Sequence, residues 1–308
     1  MPHKLLLLTR ENAIYHQLIT ALALPELEIV DEQPAQVAAA DIWLAEPAMA
    51  APLIPVAHSL KWLQSTFAGV DKLMQLKRPL TCQLTNIKKV FGPLMSEYVF
   101  GYLLSIYRQQ REYAAQQAEQ QWQERRYGTL QGKTFVVLGT GSIGSHLAQT
   151  AHHFGMHVIG ISRRGRANKQ FDLVYDISQL SQVVNRADVL VNALPHTPQT
   201  VHLLDGQLLS KLPQHACFFN VGRGSAVKLD ELYQVLRQRP DLTAVLDVFE
   251  QEPLPAEQPI WQQANAIITP HIAAPSFPEQ VVEIFANNYQ RFRRGQPLAN
   301  LVDINAGY

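Results

Sequence analysis

The stretch TFVVLGTGSIGSHLAQTAHHFG, from Thr134 to Gly155, constrains the fold of this chain more than any other segment. A short run of apolar and β-branched residues leads into Gly139 and Gly141, and a segment with helical spacing continues from Gly144. In a dinucleotide-binding turn, glycines at these positions permit a tight turn, close approach of the backbone to a pyrophosphate, and close packing of helix on strand. The stretch therefore predicts a strand, a turn and a helix whose N terminus binds phosphate.

The segment HVIGISRRGR, residues 157–166, predicts a second strand that ends in a basic cluster. In folds of this kind that bind NAD, an Asp or Glu about 20 residues after the glycines accepts hydrogen bonds from the ribose, whereas an Arg accommodates the 2′-phosphate of NADP. Ser162, Arg163 and Arg164 occupy that position here, without a carboxylate. The segment predicts that NADPH is preferred over NADH, with a solvated surface turn as the alternative. We expect Arg166 to be solvated.

Short apolar runs alternate with helix-like segments along the chain, which is typical of parallel sheets covered by helices. Because 308 residues can form two hydrophobic cores, we predict an α/β protein of two doubly wound domains. The first comprises residues 1–97, completed by the C-terminal segment 276–308, and the second comprises residues 98–275, opening with a long helix to about Arg126. The predicted strands are KLLLLT, LEIV, DIWLA, LKWLQS and LTCQLT in the first domain, and TFVVLG, HVIGIS, DVLVNAL, ACFFNVG, LTAVLDVF and AIITPH in the second.

Composition argues against several classes of function. The chain has 26 Lys and Arg against 26 Asp and Glu, so no net charge directs it to nucleic acid or to an anionic membrane. The first ten residues contain too short an apolar run for a signal peptide, and no run approaches a membrane span, so we expect a cytoplasmic protein. Cys82 and Cys217 lack the paired spacing of metal ligands, so we expect no metal site.

Four later motifs follow the glycine-rich turn in the order VNALPHTPQT, FFNVGRGSAVKLDEL, AVLDVFEQEPLP and IITPHIAAP. Together they resemble the D-isomer-specific 2-hydroxyacid dehydrogenase family, from about Ser65 onward. The glyoxylate/hydroxypyruvate reductase A type is most similar, as the SR after the second strand, QEPLP, ITPHIAA and the C-terminal Gly307 and Tyr308 indicate. The resemblance implies a flavodoxin-like substrate domain and a Rossmann dinucleotide-binding domain, with a cleft between them that closes over NADPH and a small 2-keto acid.

Reduction of a 2-keto acid requires one group to hold the carboxylate, another to donate a proton to the carbonyl oxygen, and a hydride donor beside the carbonyl carbon. The resemblance implies that Arg223 in VGRGS binds the carboxylate and carbonyl of the substrate, and that His271 in TPHIAA donates the proton. Glu252 in EQEP matches the carboxylate that pairs with the histidine, and such a partner favours imidazolium. We expect the nearby Glu250 to be solvated.

The resemblance also implies contacts outside these catalytic residues. In the loop QSTFAGVDKL, the backbone N–H groups around Ala68, Gly69 and Val70 would receive the substrate carboxylate. Phe67 stands where a small residue is common in the family, and its ring either lines the pocket or packs in the core of its own domain. Asp247 matches a residue near the nicotinamide carboxamide, with a structural cap as an equal alternative. The other implied cofactor contacts are Ser142, Ile143, Leu194, Pro195, Thr197 and Val221.

These observations predict NADPH-dependent reduction of a small 2-keto acid to the D-2-hydroxy acid. A dinucleotide-sensing binding protein is the alternative from another class, because corepressors of the family keep the same motifs. A dehydrogenase of another acid, such as phosphoglycerate, is the second alternative. The intact set of Arg223, Glu252 and His271 favours an enzyme. The resemblance further implies a homodimer with its interface around residues 98–126.

Overall fold

The computed structural model describes residues 2–76 and 80–304, and the chain divides into two compact units. Unit 1 comprises Met1–Val90 and Ser276–Tyr308, and unit 2 comprises Phe91–Pro275. The first division therefore lies between residues 90 and 91, not between 97 and 98, because one unbroken helix runs from Phe91 to Tyr107 and packs in the core of unit 2. Gly307 and Tyr308, which contribute to the family resemblance, lie outside the described residues.

Unit 1 contains a parallel sheet with the strand order β2-β1-β3-β4-β5. This is the flavodoxin-like order. The strands read as nearly continuous apolar runs because helices cover both faces of such a sheet. The strands are β1 His3–Leu8, β2 Leu27–Val30, β3 Ile42–Ala45, β4 Trp62–Ser65 and β5 Gln83–Thr85, and the helices up to residue 76 are α1 Asn12–Ala21, α2 Pro34–Ala39, α3 Pro47–Ala50 and α4 Asp71–Met74.

Unit 2 contains a second parallel sheet, whose strands are β6 Thr134–Leu138, β7 His157–Ser162, β8 Leu173–Asp176, β9 Val189–Asn192, β10 Cys217–Asn220, β11 Thr243–Leu246 and β12 Ala266–Ile268. Their order is β12-β11-β10-β9-β6-β7-β8. The order reverses between β6 and β9, which is the Rossmann switch point where a ligand binds at the carboxyl ends of the strands. The helices are α5 Phe91–Tyr107, α6 Gln110–Ala118, α7 Ser142–His153, α8 Leu180–Val183, α9 Gly206–Leu209 and α10 Leu229–Gln238.

The core of unit 2 lies on both faces of this sheet. Along β6, Val136 and Leu138 belong to one buried cluster, while Phe135 and Val137 belong to another. This alternation follows from the two-residue period of a strand. The edge strand β8 was not predicted. Its apolar run is limited to Leu173, Val174 and Tyr175, between Asp172 and Asp176, and the strand is only partly buried, with Leu173 47% exposed.

The long helix predicted from Glu97 to about Arg126 is wrong in its extent. The backbone of Gln109 adopts a left-handed conformation with φ +50°, which separates α5 from α6. Residues 121–129 form neither helix nor strand. The residues of this segment are polar almost throughout, so no apolar face is available to hold it as a helix against the core.

The final helix, α11 Pro278–Arg293, belongs to unit 1. Its Phe285 ring stacks on Trp62 of β4, with centroids 5.1 Å apart. Its buried Asn288 donates a hydrogen bond to Gln64 Oε1 at 3.2 Å. The C-terminal segment therefore packs on the strand that leads into the loop around Ala68. Among the described residues, no helix is both long and apolar enough to span a bilayer.

Candidate active site

The turn between β6 and α7 has the geometry expected of a dinucleotide site. Gly139 adopts φ +105°, and its N–H donates to the carbonyl oxygen of Ile161 at 2.8 Å. A Cβ on Gly144 would lie 1.9 Å from the carbonyl oxygen of Gly139, whereas a Cβ on Gly141 would meet none of the described atoms within 4 Å. Gly144 thus allows helix and strand to touch, and Gly141 leaves space for a pyrophosphate.

The helix α7 begins directly at this space. Gly141 is its N-cap residue, and no side chain in the described part of the chain caps it. The backbone N–H groups of Ser142, Ile143 and Gly144 therefore lie at the positive end of a helix, where phosphate binds favourably. The residues present fit a dinucleotide.

The basic cluster lies at the same edge of the sheet. Ser162 ends β7, the neighbour of β6, and the side chains of Arg163 and Arg164 are exposed. Asn168 ties this loop to the glycine turn, because its Nδ2 donates to the carbonyl oxygen of Thr140 and to Ser145 Oγ, each at 3.1 Å. Asn168 was not among the predicted residues, since no local sequence pattern marks a contact made across the loop. Arg166 is exposed, as expected.

A carboxylate that was not foreseen, Asp176, lies one strand away at the end of β8, paired in register with Ser162. Its Oδ1 accepts a hydrogen bond from the N–H of Ser178 at 2.9 Å, and this bond lowers the pKa of the carboxyl group. Asp176 thereby caps a short 3-10 helix, which gives the carboxylate a structural role. It was missed because β8 was missed.

Four of the implied cofactor contacts follow the ends of β9 and β10. Asn192 organises this part of the edge: its Nδ2 donates to Asn220 Oδ1 at 2.9 Å, and its Oδ1 accepts from the N–H of Leu194 at 3.2 Å. The two asparagines were not among the predicted residues. The four contacts are Leu194, Pro195, Thr197 and Val221.

Arg223 lies in a loop that requires its flanking glycines. A Cβ on Gly222 would lie 2.7 Å from the carbonyl oxygen of Leu194, and a Cβ on Gly224 would lie 1.8 Å from the carbonyl carbon of Phe249. The close approach at Gly224 brings the Arg223 loop against the segment that carries Glu252. Arg223 is half-buried, and its Nη1 donates to the carbonyl oxygen of Gly222 at 2.7 Å.

His271 and Glu252 form a hydrogen-bonded pair, with 2.8 Å between Nδ1 and Oε2. The hydrogen bond and charge of Glu252, together with Asp247, raise the pKa of His271 against the effects of burial and of Arg223. Burial alone would raise the pKa of Glu252, but hydrogen bonds from His271 and from the N–H of Phe249, with the charges of His271 and Arg223, hold that pKa below its usual value. The pair therefore favours imidazolium beside carboxylate.

Glu250 does not join this pair. Its side chain is exposed, as expected, and its Oε2 lies 3.2 Å from His202 Nε2. His271 remains 54% exposed and Glu252 38% exposed, so a small molecule can reach the imidazole.

Asp247 makes the contacts of a structural cap. Its side chain is 1% exposed. Its Oδ1 accepts hydrogen bonds from Thr269 Oγ1 at 2.6 Å and the N–H of Ile272 at 2.8 Å, and its Oδ2 accepts from the N–H of Ala273 at 2.9 Å. These bonds hold the loop that carries His271.

In unit 1, the loop from Phe67 to Val70 follows β4. Ser65 Oγ accepts from the N–H of Phe67 at 3.0 Å and donates to its carbonyl oxygen at 2.9 Å, while Asn86 Nδ2 donates to the carbonyl oxygen of Ala68 at 2.7 Å. The Phe67 ring is 41% exposed, so the alternative that placed it in the core of its domain is wrong.

No cluster of His, Cys, Asp and Glu suited to a metal ion occurs within residues 2–76 and 80–304. Cys82 and Cys217 are buried and free.

Comparison with known proteins agrees with this geometry. Residues 100–273 match the family model of the D-isomer specific 2-hydroxyacid dehydrogenase NAD binding domain. A glyoxylate/hydroxypyruvate reductase A from Serratia proteamaculans is 33% identical over 259 residues, which cover 81% of this chain and 82% of that protein.

Solved structures of the same family superimpose closely. A family protein from Aeromonas salmonicida has a TM-score of 0.93 and 47% identity, covering 99% of this chain and 100% of that one. The NADPH-dependent glyoxylate/hydroxypyruvate reductase from Sinorhizobium meliloti, in complex with NADP and sulfate, has a TM-score of 0.89 and 29% identity, covering 99% and 100%. Unit 2 thus contains a domain that binds a nicotinamide dinucleotide. The chain belongs to the D-isomer specific 2-hydroxyacid dehydrogenase family and is an NAD(P)-dependent oxidoreductase.

Proposed function

We propose that this protein reduces a small 2-keto acid of the glyoxylate or hydroxypyruvate kind to the D-2-hydroxy acid, with NADPH as the preferred cofactor. The observation that carries the proposal is the hydrogen bond between His271 Nδ1 and Glu252 Oε2, at 2.8 Å. The charge of Arg223 acts on both of these residues. A nicotinamide dinucleotide held at the glycine turn would supply the hydride.

The residues of unit 2 donate the proton and bind the carboxylate of the substrate. The guanidinium of Arg223 offers a planar set of donors that suits a carboxylate and the adjacent carbonyl oxygen. Glu252 holds Nδ1 of His271, so the Nε2 proton is the one that moves to the carbonyl oxygen as the hydride arrives. Loss of this proton leaves His271 as neutral imidazole, while the carbonyl group of the substrate becomes the hydroxyl group of the product.

The loop of unit 1 contributes to substrate recognition in this proposal. The N–H groups around Ala68, Gly69 and Val70 receive the substrate carboxylate, as the family resemblance implies. The exposed ring of Phe67 lines the pocket and limits the size of the substrate side chain. Ser65 and Asn86 support this role, because their hydrogen bonds shape the backbone of the loop.

Preference for NADPH is supported by the exposed side chains of Arg163 and Arg164 beside Ser162, and by Asn168, which ties their loop to the glycine turn. The relative from Sinorhizobium meliloti is named as NADPH-dependent. Asp247 is expected to act at the nicotinamide end by holding the loop of His271 in place.

A panel of 2-keto acids of increasing size, each assayed for NADPH oxidation, tests the proposal. We expect the highest kcat/KM for glyoxylate and hydroxypyruvate, with little activity on long or branched acids. Oxidation of NADPH by none of the acids, or a clear preference for bulky ones, would contradict it.

We propose in addition that the protein is a homodimer, with an interface in the region of residues 98–126. The indole of Trp122 in this region is 105% exposed in the single chain, as expected of an aromatic side chain that a second copy covers. Sedimentation equilibrium of the full chain should give twice the monomer mass, and a monomer at micromolar concentration would contradict this assembly.

A further inference from the structure

A series of hydrogen bonds connects the half-buried Tyr98 of α5, through the buried Thr269, to the buried Asp247 beside the loop of His271. Tyr98, on α5, has its hydroxyl oxygen 2.6 Å from Thr269 Oγ1, although the two residues are 171 positions apart in sequence. Thr269 Oγ1 in turn lies 2.6 Å from Asp247 Oδ1. All three residues belong to unit 2.

The direction of these hydrogen bonds follows from the number of protons available. A threonine hydroxyl has one hydrogen, and a carboxylate oxygen can only accept, so Thr269 donates to Asp247. Thr269 must therefore accept from Tyr98, which acts as the donor. Burial raises the pKa of the Tyr98 phenol above its usual value, which favours the protonated form that donates.

Asp247, at the far end of this series of hydrogen bonds, holds the backbone at the proposed proton donor and at the two residues that follow it. The carbonyl oxygen of Asp247 accepts from the N–H of His271 at 2.9 Å, and its carboxylate accepts from the N–H groups of Ile272 and Ala273. His271 itself has φ +56°, a left-handed conformation that residues with a Cβ rarely adopt. The position of the imidazole beside Glu252 thus depends on a backbone conformation that Asp247 maintains.

We propose that Tyr98 is a positioning residue for proton transfer, acting through Thr269 and Asp247 on the loop that holds His271 against Glu252. This inference rests on the proposed role of His271 as proton donor. Loss of the Tyr98 hydroxyl leaves Thr269 free to turn away from Asp247, whose carboxylate then keeps only the N–H groups of Ile272 and Ala273 among the three donors described above. The loop relaxes, and the distance between His271 and Glu252 is no longer held short.

The test compares variants that remove a hydroxyl with variants that keep one. Tyr98→Phe and Thr269→Val break the series of hydrogen bonds, whereas Thr269→Ser preserves it. Tyr102→Phe is the matched control, because the Tyr102 ring contacts Tyr98 but its hydroxyl bonds to none of the residues that the structure describes. The readouts are kcat and KM for glyoxylate, the Kd for NADPH from fluorescence, the melting temperature, and the pH profile of reduction.

We expect Tyr98→Phe and Thr269→Val to lower kcat by roughly three- to tenfold, as one lost hydrogen bond predicts. The Kd for NADPH should stay within about twofold of the wild-type value, since the glycine turn is untouched. The charges that act on His271 are those of Glu252, Asp247 and Arg223, and Glu252 raises the pKa of His271 most. A longer distance between His271 and Glu252 weakens this effect. The pH at which reduction declines should therefore shift downward. Thr269→Ser and Tyr102→Phe should behave as wild type.

Two results would overturn the inference. One is a Tyr98→Phe enzyme with wild-type kcat and pH profile. The other is a parallel loss of kcat, NADPH binding and melting temperature with an unchanged pH profile, which would show a purely structural role. If Tyr98→Phe does not fold, the comparison of Thr269→Val with Thr269→Ser decides alone. A His271→Ala enzyme that keeps its activity would refute the proposed function itself. If His271→Ala loses activity while Tyr98→Phe behaves as wild type, only this inference is refuted.

Discussion

The imidazole of His271 is held by one oxygen of Glu252, at 2.8 Å, while the other oxygen of Glu252 accepts the N–H of Phe249 at 2.9 Å. Because one oxygen is bound to the backbone, the carboxylate cannot turn away from the ring without losing a second hydrogen bond. The orientation of the ring and the placement of its Nδ1 proton are therefore set before substrate binds.

Replacement of His271 by Ala should lower turnover by about 10²- to 10⁴-fold, the usual effect of losing a general acid. Binding of NADPH should change little, because the glycine turn and the basic cluster do not involve His271. Steady-state kinetics and fluorescence titration measure the two quantities. His202→Ala is the matched control, since His202 also pairs with a glutamate but is expected to take no part in catalysis. Turnover within a few-fold of wild type would refute the assignment.

The pH dependence should have opposite signs in the two directions of the reaction. Reduction needs imidazolium, so it declines as pH rises through the raised pKa of His271. Oxidation needs neutral imidazole, so it declines as pH falls through the same value. Glu252→Gln removes the largest cause of the raised pKa and should move the decline of reduction to lower pH. Profiles that coincide in both directions would contradict the pairing.

Replacement of Arg223 by Lys should cost activity although the charge is kept. An ammonium group cannot reproduce the bidentate hydrogen bonds that a guanidinium donates to a carboxylate. Loss of one charge-assisted hydrogen bond predicts a fall in kcat/KM of about ten- to 100-fold. Arg237→Lys on α10 serves as the control. If kcat and KM both remained at wild-type values, Arg223 would not bind the substrate.

Replacement of Phe67 by Gly should change which substrates are used. If the exposed ring lines the pocket, its removal shifts the ratio of kcat/KM between large and small 2-keto acids by about 1–3 kcal/mol in favour of the large ones. Phe67→Leu, which keeps most of the bulk, should show a smaller shift. An equal loss with every acid on the panel would mean that Phe67 supports the loop and does not contact the substrate.

Replacement of Arg163 or Arg164 by Ala should reduce the use of NADPH and spare that of NADH. One charge-assisted hydrogen bond contributes about 1.5–3 kcal/mol, so one arginine on the 2′-phosphate gives a preference of about tenfold or more. The measurement is kcat/KM with each cofactor at fixed ionic strength, because salt screens exposed charges. Arg166→Ala is the control. A wild-type enzyme that favours NADH would instead support the solvated turn.

The sequence by itself determined the features that depend on short stretches of chain. The glycines at 139, 141 and 144 act through local sterics, and the structure shows the close approach at Gly144 and the open space at Gly141 that the spacing predicts. The buried strands were predicted because strands covered on both faces read as apolar runs. The α/β class and the family follow from these signals and from the order of the later motifs.

Local patterns failed where burial was partial or polarity was uniform. The edge strand β8 has only three apolar residues, between Asp172 and Asp176, and this strand was missed. The polar residues 121–129 have no apolar face to bury, and the predicted helix was therefore too long. The sequence also left the exposure of Phe67 open, since an aromatic residue in a short loop can pack in a core or line a pocket.

Only the tertiary structure decided which distant side chains meet. Asn168 reaches back to Thr140, Asp247 turns toward the loop of His271, and Tyr98 reaches Thr269 across 171 positions. Each of these is a directional hydrogen bond, whose existence depends on atomic positions set by the packing of several strands and helices. A window of sequence contains the donors and acceptors but not the distances between them.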